Sequence, residues 1–274
     1  MKSQWECLLE NLGEWRGSFT RFSPAIELLA DTPTIVSLEG LNNNQAIRQK
    51  IQKFSSTGEV SEQVLEYSSL GRSVLFFENG AFSQGSIQIA PFSEFGAELG
   101  LIDGNLRLRL VQLFNKNSEL ESITLIRETL ASSQPREIPD LTVEQLLGEW
   151  VGEAVTIYPD WRSPDTYPTH LKIYRNESGE LVQQLSFANR NIESIAKIQG
   201  SILCFEQSPQ RVQVLLLPNG ASASCPAKIS FGQNFFLEVG WLYLPNQRQR
   251  LIRSYNEKGE WVSLTLVKEK RVQA

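Results

Sequence analysis

The phrase NLGEWRG at residues 11–17 returns as LLGEWVG at residues 146–152, an interval of 135 residues in a chain of 274. Recurrence at about half the chain length is the signature of a tandem duplication. The offset of 135 holds without a gap from Leu12 to Thr34, setting Pro24 against Pro159 and Pro33-Thr34 against Pro168-Thr169. Asn79-Gly80-Ala81 meets Asn219-Gly220-Ala221 at an offset of 140, and Asn105–Glu128 meets Asn246–Glu269 at 141 with 10 of 24 positions identical. The identities include Arg107 and Arg109 against Arg248 and Arg250, and Glu128 against Glu269. The Ser/Pro-rich stretch ASSQPREIPDLT (131–142) separates the copies. We therefore expect units at 1–130 and 142–274, joined by a linker at 131–141.

Each copy opens on a helical turn. Ser3 with Glu6, and Thr142 with Gln145, fit capping boxes, and Trp5, Leu8, Leu9 and Leu12 share one helical face. Beyond these turns the period changes to two, in short runs such as Ser73–Phe77, Ser86–Ala90, Leu106–Phe114, Glu121–Ile126, Arg211–Leu217, Gln249–Tyr255 and Trp261–Val267. Turn signals such as Glu78-Asn79-Gly80 and Glu257-Lys258-Gly259 divide them. Many short strands with almost no helix predict an all-β chain, one closed up-and-down antiparallel barrel per copy. Closure would also remove exposed strand edges.

A helical turn followed by Gly-x-Trp resembles the opening of lipocalins and their calycin relatives. The resemblance implies that Trp15 and Trp150 plug the closed ends of their barrels. It also implies that a basic residue of the last strand packs over each, Arg127 in LTLIRE and Lys268 in LTLVKE. The whole chain is similar to a cyanobacterial and plastid family of tandem calycin-like barrels that includes the chloroplast biogenesis factor required for ATP synthase. That likeness implies a non-enzymatic assembly role, with subunits of the F1 part of ATP synthase as partners.

The residues offer little for catalysis. The one histidine, His170, lies in no Ser-His-Asp or Cys-His setting with a nucleophile elbow, and no Walker loop or dinucleotide fingerprint occurs. Cys7, Cys204 and Cys225 are odd in number and widely spaced, which predicts reduced, buried thiols and no zinc site. No cofactor is expected. A net charge of −5 argues against nucleic acid as the main partner, and no apolar run is long enough for a membrane helix. With no signal-peptide pattern at the start, a cytoplasmic location is expected. The excess acid is confined to residues 1–134, with 11 Lys/Arg against 16 Asp/Glu, whereas 135–274 balance at 15 and 15.

What remains is binding. Arg253 and Tyr255 share one strand face, where the first copy has Gln112 and Phe114, and a guanidinium beside a phenol can hold a carboxylate. Trp241 and Tyr243 likewise replace Leu101 and Asp103. The Pro- and aromatic-rich segment 158–170 suits a lid. These residues predict, as an alternative to the assembly role, a carrier of a small apolar anion such as a fatty acid or tetrapyrrole in the C-terminal barrel. Arg248 and Arg250 join the candidate set if their face turns inward. In the first copy Arg107 and Arg109 alternate with Leu106, Leu108 and Leu110, which places that pair toward water. Glu98 and Glu238 are repeat mates in different units and make no acid/base dyad.

Overall fold

Both copies of the repeated phrase fold alike, for reasons carried by their residues. In a computed structural model, which describes residues 2–207 and 210–272, the first unit runs α1 (Gln4–Leu9), β1 (Gly13–Phe22), β2 (Leu28–Leu41), β3 (Ala46–Phe54), β4 (Val60–Tyr67), β5 (Val74–Phe76), β6 (Phe82–Gly85), β7 (Phe95–Asp103), β8 (Leu106–Phe114) and β9 (Leu120–Leu130). The second runs α2 (Val143–Leu146), β10 (Gly148–Ile157), β11 (Asp165–Arg175), β12 (Leu181–Phe187), β13 (Arg190–Gln199), β14 (Ile202–Phe205), β15 (Val212–Leu216), β16 (Ala221–Pro226), β17 (Phe235–Leu244), β18 (Gln247–Tyr255) and β19 (Trp261–Arg271). Both helices carry the expected capping boxes. Gly13 and Gly148 then turn the chain at φ +124° and +117°, where glycine is favoured. Two residues on, buried Trp15 and Trp150 donate Nε1 to the carbonyls of Asn11 and Leu146, each at 2.9 Å. The closing glycine is a matter of space. A Cβ at Gly17 would stand 1.7 Å from the carbonyl oxygen of Arg127, and one at Gly152 2.2 Å from that of Lys268. The phrase therefore encodes a turn, a buried tryptophan and the seam where the first and last strands pair.

The second unit closes as β10 to β19 in chain order, but the first does not. Its nine strands form an open sheet, β4-β3-β2-β1-β9-β8-β7-β6-β5, which corrects the expectation of two closed barrels. The reason is a short connection. Tyr67 opposite Ile47 matches Ala196 opposite Leu181. After Ala196 the chain extends β13 and turns into β14, which pairs with both β13 and β15. After Tyr67 only residues 68–73 precede β5, too few for that extra hairpin. Helix α1 serves instead. The Gln4 amide bonds both the N–H and the carbonyl of Phe76 on the β5 edge, at 2.7 and 2.9 Å, while Trp5 packs edge-on against Tyr67. The far edge, β4, stays exposed and carries Glu62 and Glu66, paired with Lys50 and Arg48 on β3. Charges along an edge discourage pairing with foreign strands.

The two units pack as a quasi-symmetric pair. The expected strand at Ser86–Ala90 is instead a crossing segment with one bridge, Gln88 to Glu260 on the β18–β19 hairpin, flanked by Trp261 N–H to Ile87 O at 2.8 Å and Ile89 N–H to Gly259 O at 3.0 Å. Its mate reciprocates. Lys228 bridges Glu119 on the β8–β9 hairpin, with Leu120 N–H to Ala227 O at 2.9 Å and Ile229 N–H to Ser118 O at 2.8 Å. The mates Phe95 and Phe235 meet with ring centroids 5.6 Å apart. This is the geometry of an isologous dimer, built here within one chain. Between the sheets Leu99, Leu101, Leu108 and Leu110 join Leu237, Val239, Trp241 and Leu251 in one buried cluster. The central core of the molecule is thus outside both sheets' concave faces.

Candidate ligand cavity

Because the leucines of β8 face the other unit, the alternate residues of that strand face inward. Arg107 and Arg109 are buried on the concave side, not solvated as expected. Arg107 donates Nε to Glu128 at 2.6 Å, while Arg109 bonds both oxygens of Glu128 at 3.0 and 2.7 Å and Glu98 at 2.6 Å. The second unit repeats the set. Arg248 donates Nε to Glu269 at 2.8 Å, and Arg250 takes both oxygens of Glu238 at 2.9 Å and approaches Glu269 at 3.4 Å. Each interior holds two guanidinium and two carboxylate groups. Burial pushes the Glu128 carboxyl up, but Arg109 and Arg107 outweigh it and hold the pKa at about 2. Glu269 is lowered by the same balance, burial opposed by Arg248 and Arg250. Both carboxyls are therefore ionised and matched, the condition for tolerating buried charge.

The arginines also pack on the buried tryptophans. Arg107 lies 4.4 Å from the Trp15 ring, and Arg248 and Arg271 lie 5.0 and 4.6 Å from that of Trp150. The roles expected of Arg127 and Lys268 are corrected accordingly. Arg127 bonds the Ser18 and Thr20 hydroxyls across β1, and Lys268 is exposed. Both stand opposite the residue three beyond the tryptophan, at Ser18 and Glu153, so the pleat turns them to the outer face.

Within the second unit lies a cavity of about 380 Å³. Its walls include Leu171, Leu185, Leu203, Phe205, Val212 and Val214, and its polar lining includes Ser222, Ser224, Glu238, Arg248 and Arg250. Its mouth is marked by exposed Ile192 and Glu193, on the part of β13 that pairs with β12 alone, and by exposed Gln207 after β14. The repeat shows how this space arises. The mates of Phe19 and Phe82 are Ala154 and Ser222. Phe82 covers Gly100, where a Cβ would stand 2.4 Å from its ring, and stacks on Phe76 at 5.2 Å. In the second unit Ser222 covers Gly240, Leu216 replaces Phe76, and Ala154 takes the place of the ring on which Arg109 rests at 5.4 Å.

Of the residues expected to bind a ligand, Arg248 and Arg250 line this cavity. Arg253, Tyr255, Trp241 and Tyr243 do not; the parity that turns Arg250 inward turns Arg253 toward the first unit. Fully buried, Arg253 donates to the Tyr255 hydroxyl at 2.7 Å, to the Ser83 hydroxyl at 3.2 Å and to the Ser86 carbonyl at 3.1 Å. Tyr255 donates to the same Ser86 carbonyl at 2.9 Å. Trp241 sits in the interface cluster with Tyr243 packed on it, and the Tyr243 carbonyl accepts from Arg136 of the connecting segment at 3.0 Å. The aromatic-rich segment gives only a loop at 158–164 before β11 begins at Asp165, so it forms no lid as long as expected. His170 is exposed on β11, 3.7 Å from Glu149. Burial raises the Cys225 thiol to about 12. Among the described residues no group of acidic, histidine or cysteine side chains could hold a metal ion.

What the sequence reading missed is the pair of charge clusters and Ser222 and Ser224. The signal was present. Two arginines and two glutamates recur at matched positions in both copies, a neutral set that a solvated face would have no reason to keep balanced.

Comparison with known proteins places this architecture. Residues 1–133 match the family model described as the N-terminal part of DUF3598, a domain of unknown function. Residues 137–272 match the model described as the C-terminal domain of biogenesis factor required for ATP synthase 1. No curated protein matches the chain. A crystal structure of a DUF3598 protein of unknown function from Nostoc punctiforme is 56% identical, covers 99% of this chain and 100% of that one, and superposes with a TM-score of 0.95. An S-type phycobiliprotein lyase from Guillardia theta, 12% identical over 48% of this chain and 90% of that one, reaches a TM-score of 0.37. At 56% identity over nearly its whole length, the chain belongs to the DUF3598 family.

Proposed function

We propose that this protein acts without catalysis as an assembly factor for the F1 part of ATP synthase. One observation carries the reading: residues 137–272 match the C-terminal domain described for biogenesis factor required for ATP synthase 1. Two features of the chain support it. The units are held in fixed relation by a buried interface with strand bridges on both sides, as suits a protein that must hold partners in one orientation. Their charges also differ, −5 for residues 1–134 and 0 for the rest, so the units offer unlike surfaces to unlike partners. Complementary charge raises association rate and selectivity and weakens with salt.

The test is capture of the tagged full chain from its own cells at low and high salt, with detection of the α, β and γ subunits. The reading expects subunits retained at low salt and reduced at high salt, and less assembled F1 in a deletion strain. Absence of all three at both salts, with F1 abundance unchanged on deletion, would overturn it.

A further inference from the structure

The cavity of the second unit has no part in the assembly reading, and its construction has a chemistry of its own. We infer that it is a binding site for an uncharged apolar molecule bearing one hydrogen-bonding group, such as a hydroxyl or carbonyl. Three observations carry this.

The first is that the space is specific to one copy's residues. At the positions where the first unit has Phe19, Phe76 and Phe82, the second has Ala154, Leu216 and Ser222. Protein interiors are close-packed, and removing buried side-chain volume costs stability unless something fills the space. A cavity of about 380 Å³ falls within the range of small-molecule sites and has their mixture of apolar wall and few polar groups.

The second concerns charge. Among the described residues, the cations that line this cavity are already matched in charge. Arg250 is bonded to both oxygens of Glu238, and Arg248 to Glu269. A ligand carboxylate would add a third negative charge to two guanidiniums already balanced by two carboxylates, leaving one buried carboxylate uncompensated, which is strongly unfavourable. The sequence expectation of an anionic ligand rested on Arg253, whose guanidinium is committed to the interface between the units.

The third concerns polarity. Ser222 and Ser224 present hydroxyls beside Glu238 on the cavity wall. A hydroxyl donates and accepts, so this corner suits a neutral group of either kind. Access is provided beside Ile192 and Glu193, on the part of β13 that pairs with β12 alone, and beside Gln207 after β14. An acidic residue at the mouth further disfavours anions.

The test uses the full chain and Nile red, an uncharged dye whose emission shifts to the blue in apolar surroundings. Wild-type protein should give the shifted emission at saturation with one dye per chain. Ala154→Phe and Ser222→Phe, which restore the rings of the first unit, should lose it while keeping circular dichroism and a thermal midpoint no lower than wild type. Phe is already housed at the matched positions of the first unit, so these variants have a precedent for folding. Should one of them unfold, Val214→Phe fills the same space from β15 and gives the same reading. Decanol should displace the dye, and decanoate, ionised at neutral pH, should not. An unshifted emission with wild type would overturn the inference, as would equal binding by folded, filled variants. Displacement by decanoate as effective as by decanol would overturn the uncharged class. None of these outcomes depends on whether ATP synthase subunits are captured.

Discussion

The two units share a buried tryptophan and four charges, and differ in what surrounds them. In the first, Arg109 rests against Phe19, Phe82 stacks on Phe76, and the sheet stays open with α1 against its short edge. In the second, Ala154, Ser222 and Leu216 stand at those places, and an added hairpin closes the barrel around the space they leave. Duplication has held the charged frame constant and redistributed aromatic volume. The parts retained in both copies are those whose loss leaves a buried group unpaired; the parts that changed are those a core can absorb by repacking.

The comparison can be broken at its most conserved point. Trp15→Ala and Trp150→Ala should each destabilise by roughly 3–5 kcal/mol in urea denaturation, the range for large buried aromatics. Trp150 loses two guanidinium contacts and Trp15 one, so the second unit should suffer the larger drop. An unchanged denaturation midpoint for either would mean that its tryptophan does not hold its unit together.

Next come the charges. Glu128→Gln strands Arg107 and partly Arg109, which keeps Glu98, and Glu269→Gln strands Arg248 and partly Arg250, which keeps Glu238. Each should cost about 3 kcal/mol, as for a buried ion pair deprived of one partner. The same residues set the acid limit. The folded pKa of Glu128, about 2, lies below its ordinary 4.5. Its contribution is therefore complete above about pH 4.5 and is lost as pH falls toward 2. Melting temperature followed across that window should fall less steeply in Glu128→Gln than in wild type; parallel curves would refute the assignment.

These clusters mark where sequence reasoning stopped. The repeat, both helices with their caps, β8 and the two tryptophans were legible because they depend on local pattern. The direction of the strands' faces was not. Leu106, Leu108 and Leu110 read as a core face with arginines outside, yet both sides of β8 are buried, one against the other unit and one inside its own sheet. Period two assigns residues to a shared face and is silent on which face is concave. The same ambiguity sent Arg253 and Trp241 into the wrong compartment. Closure was also illegible, because it depends on the 11 residues by which 197–213 exceed 68–73, a length difference hidden in a stretch with no recognisable repeat.

A weaker break falls on the interface. Arg253→Ala leaves the Ser83 hydroxyl and the Ser86 carbonyl short of a charged donor, and should cost about 2 kcal/mol by the worth of hydrogen bonds to charged groups. Because Gln112 stands at the matched position in the first unit and donates to the Glu238 carbonyl at 3.0 Å, Gln112→Ala should cost less. Equal losses, read from paired denaturation curves, would mean that the two sides of the interface are energetically symmetric after all.

The smallest effect should be a gain. Phe92 is exposed and holds φ +61°, whereas its mate is Gly232 at φ +79°. Phe92→Gly should raise stability by roughly 0.5–1 kcal/mol through relief of left-handed strain, net of the freedom glycine gains when unfolded. A thermal midpoint that falls instead would mean that the Phe92 ring contributes contacts worth more than the strain.

The leucine-lined interface also sets a timetable for synthesis. The residues that cover Leu99, Leu101, Leu108 and Leu110 begin at Leu215 and continue to Leu266. On a ribosome adding about 5–20 residues per second, the interval between the last of those leucines and the end of their cover is some 8–31 s. For that time the nascent first half presents a continuous apolar sheet face with its own sibling still unmade. On a polysome the nearest complementary surface belongs to the chain ahead, so correct pairing in cis depends on the connecting segment keeping the second half close as it emerges.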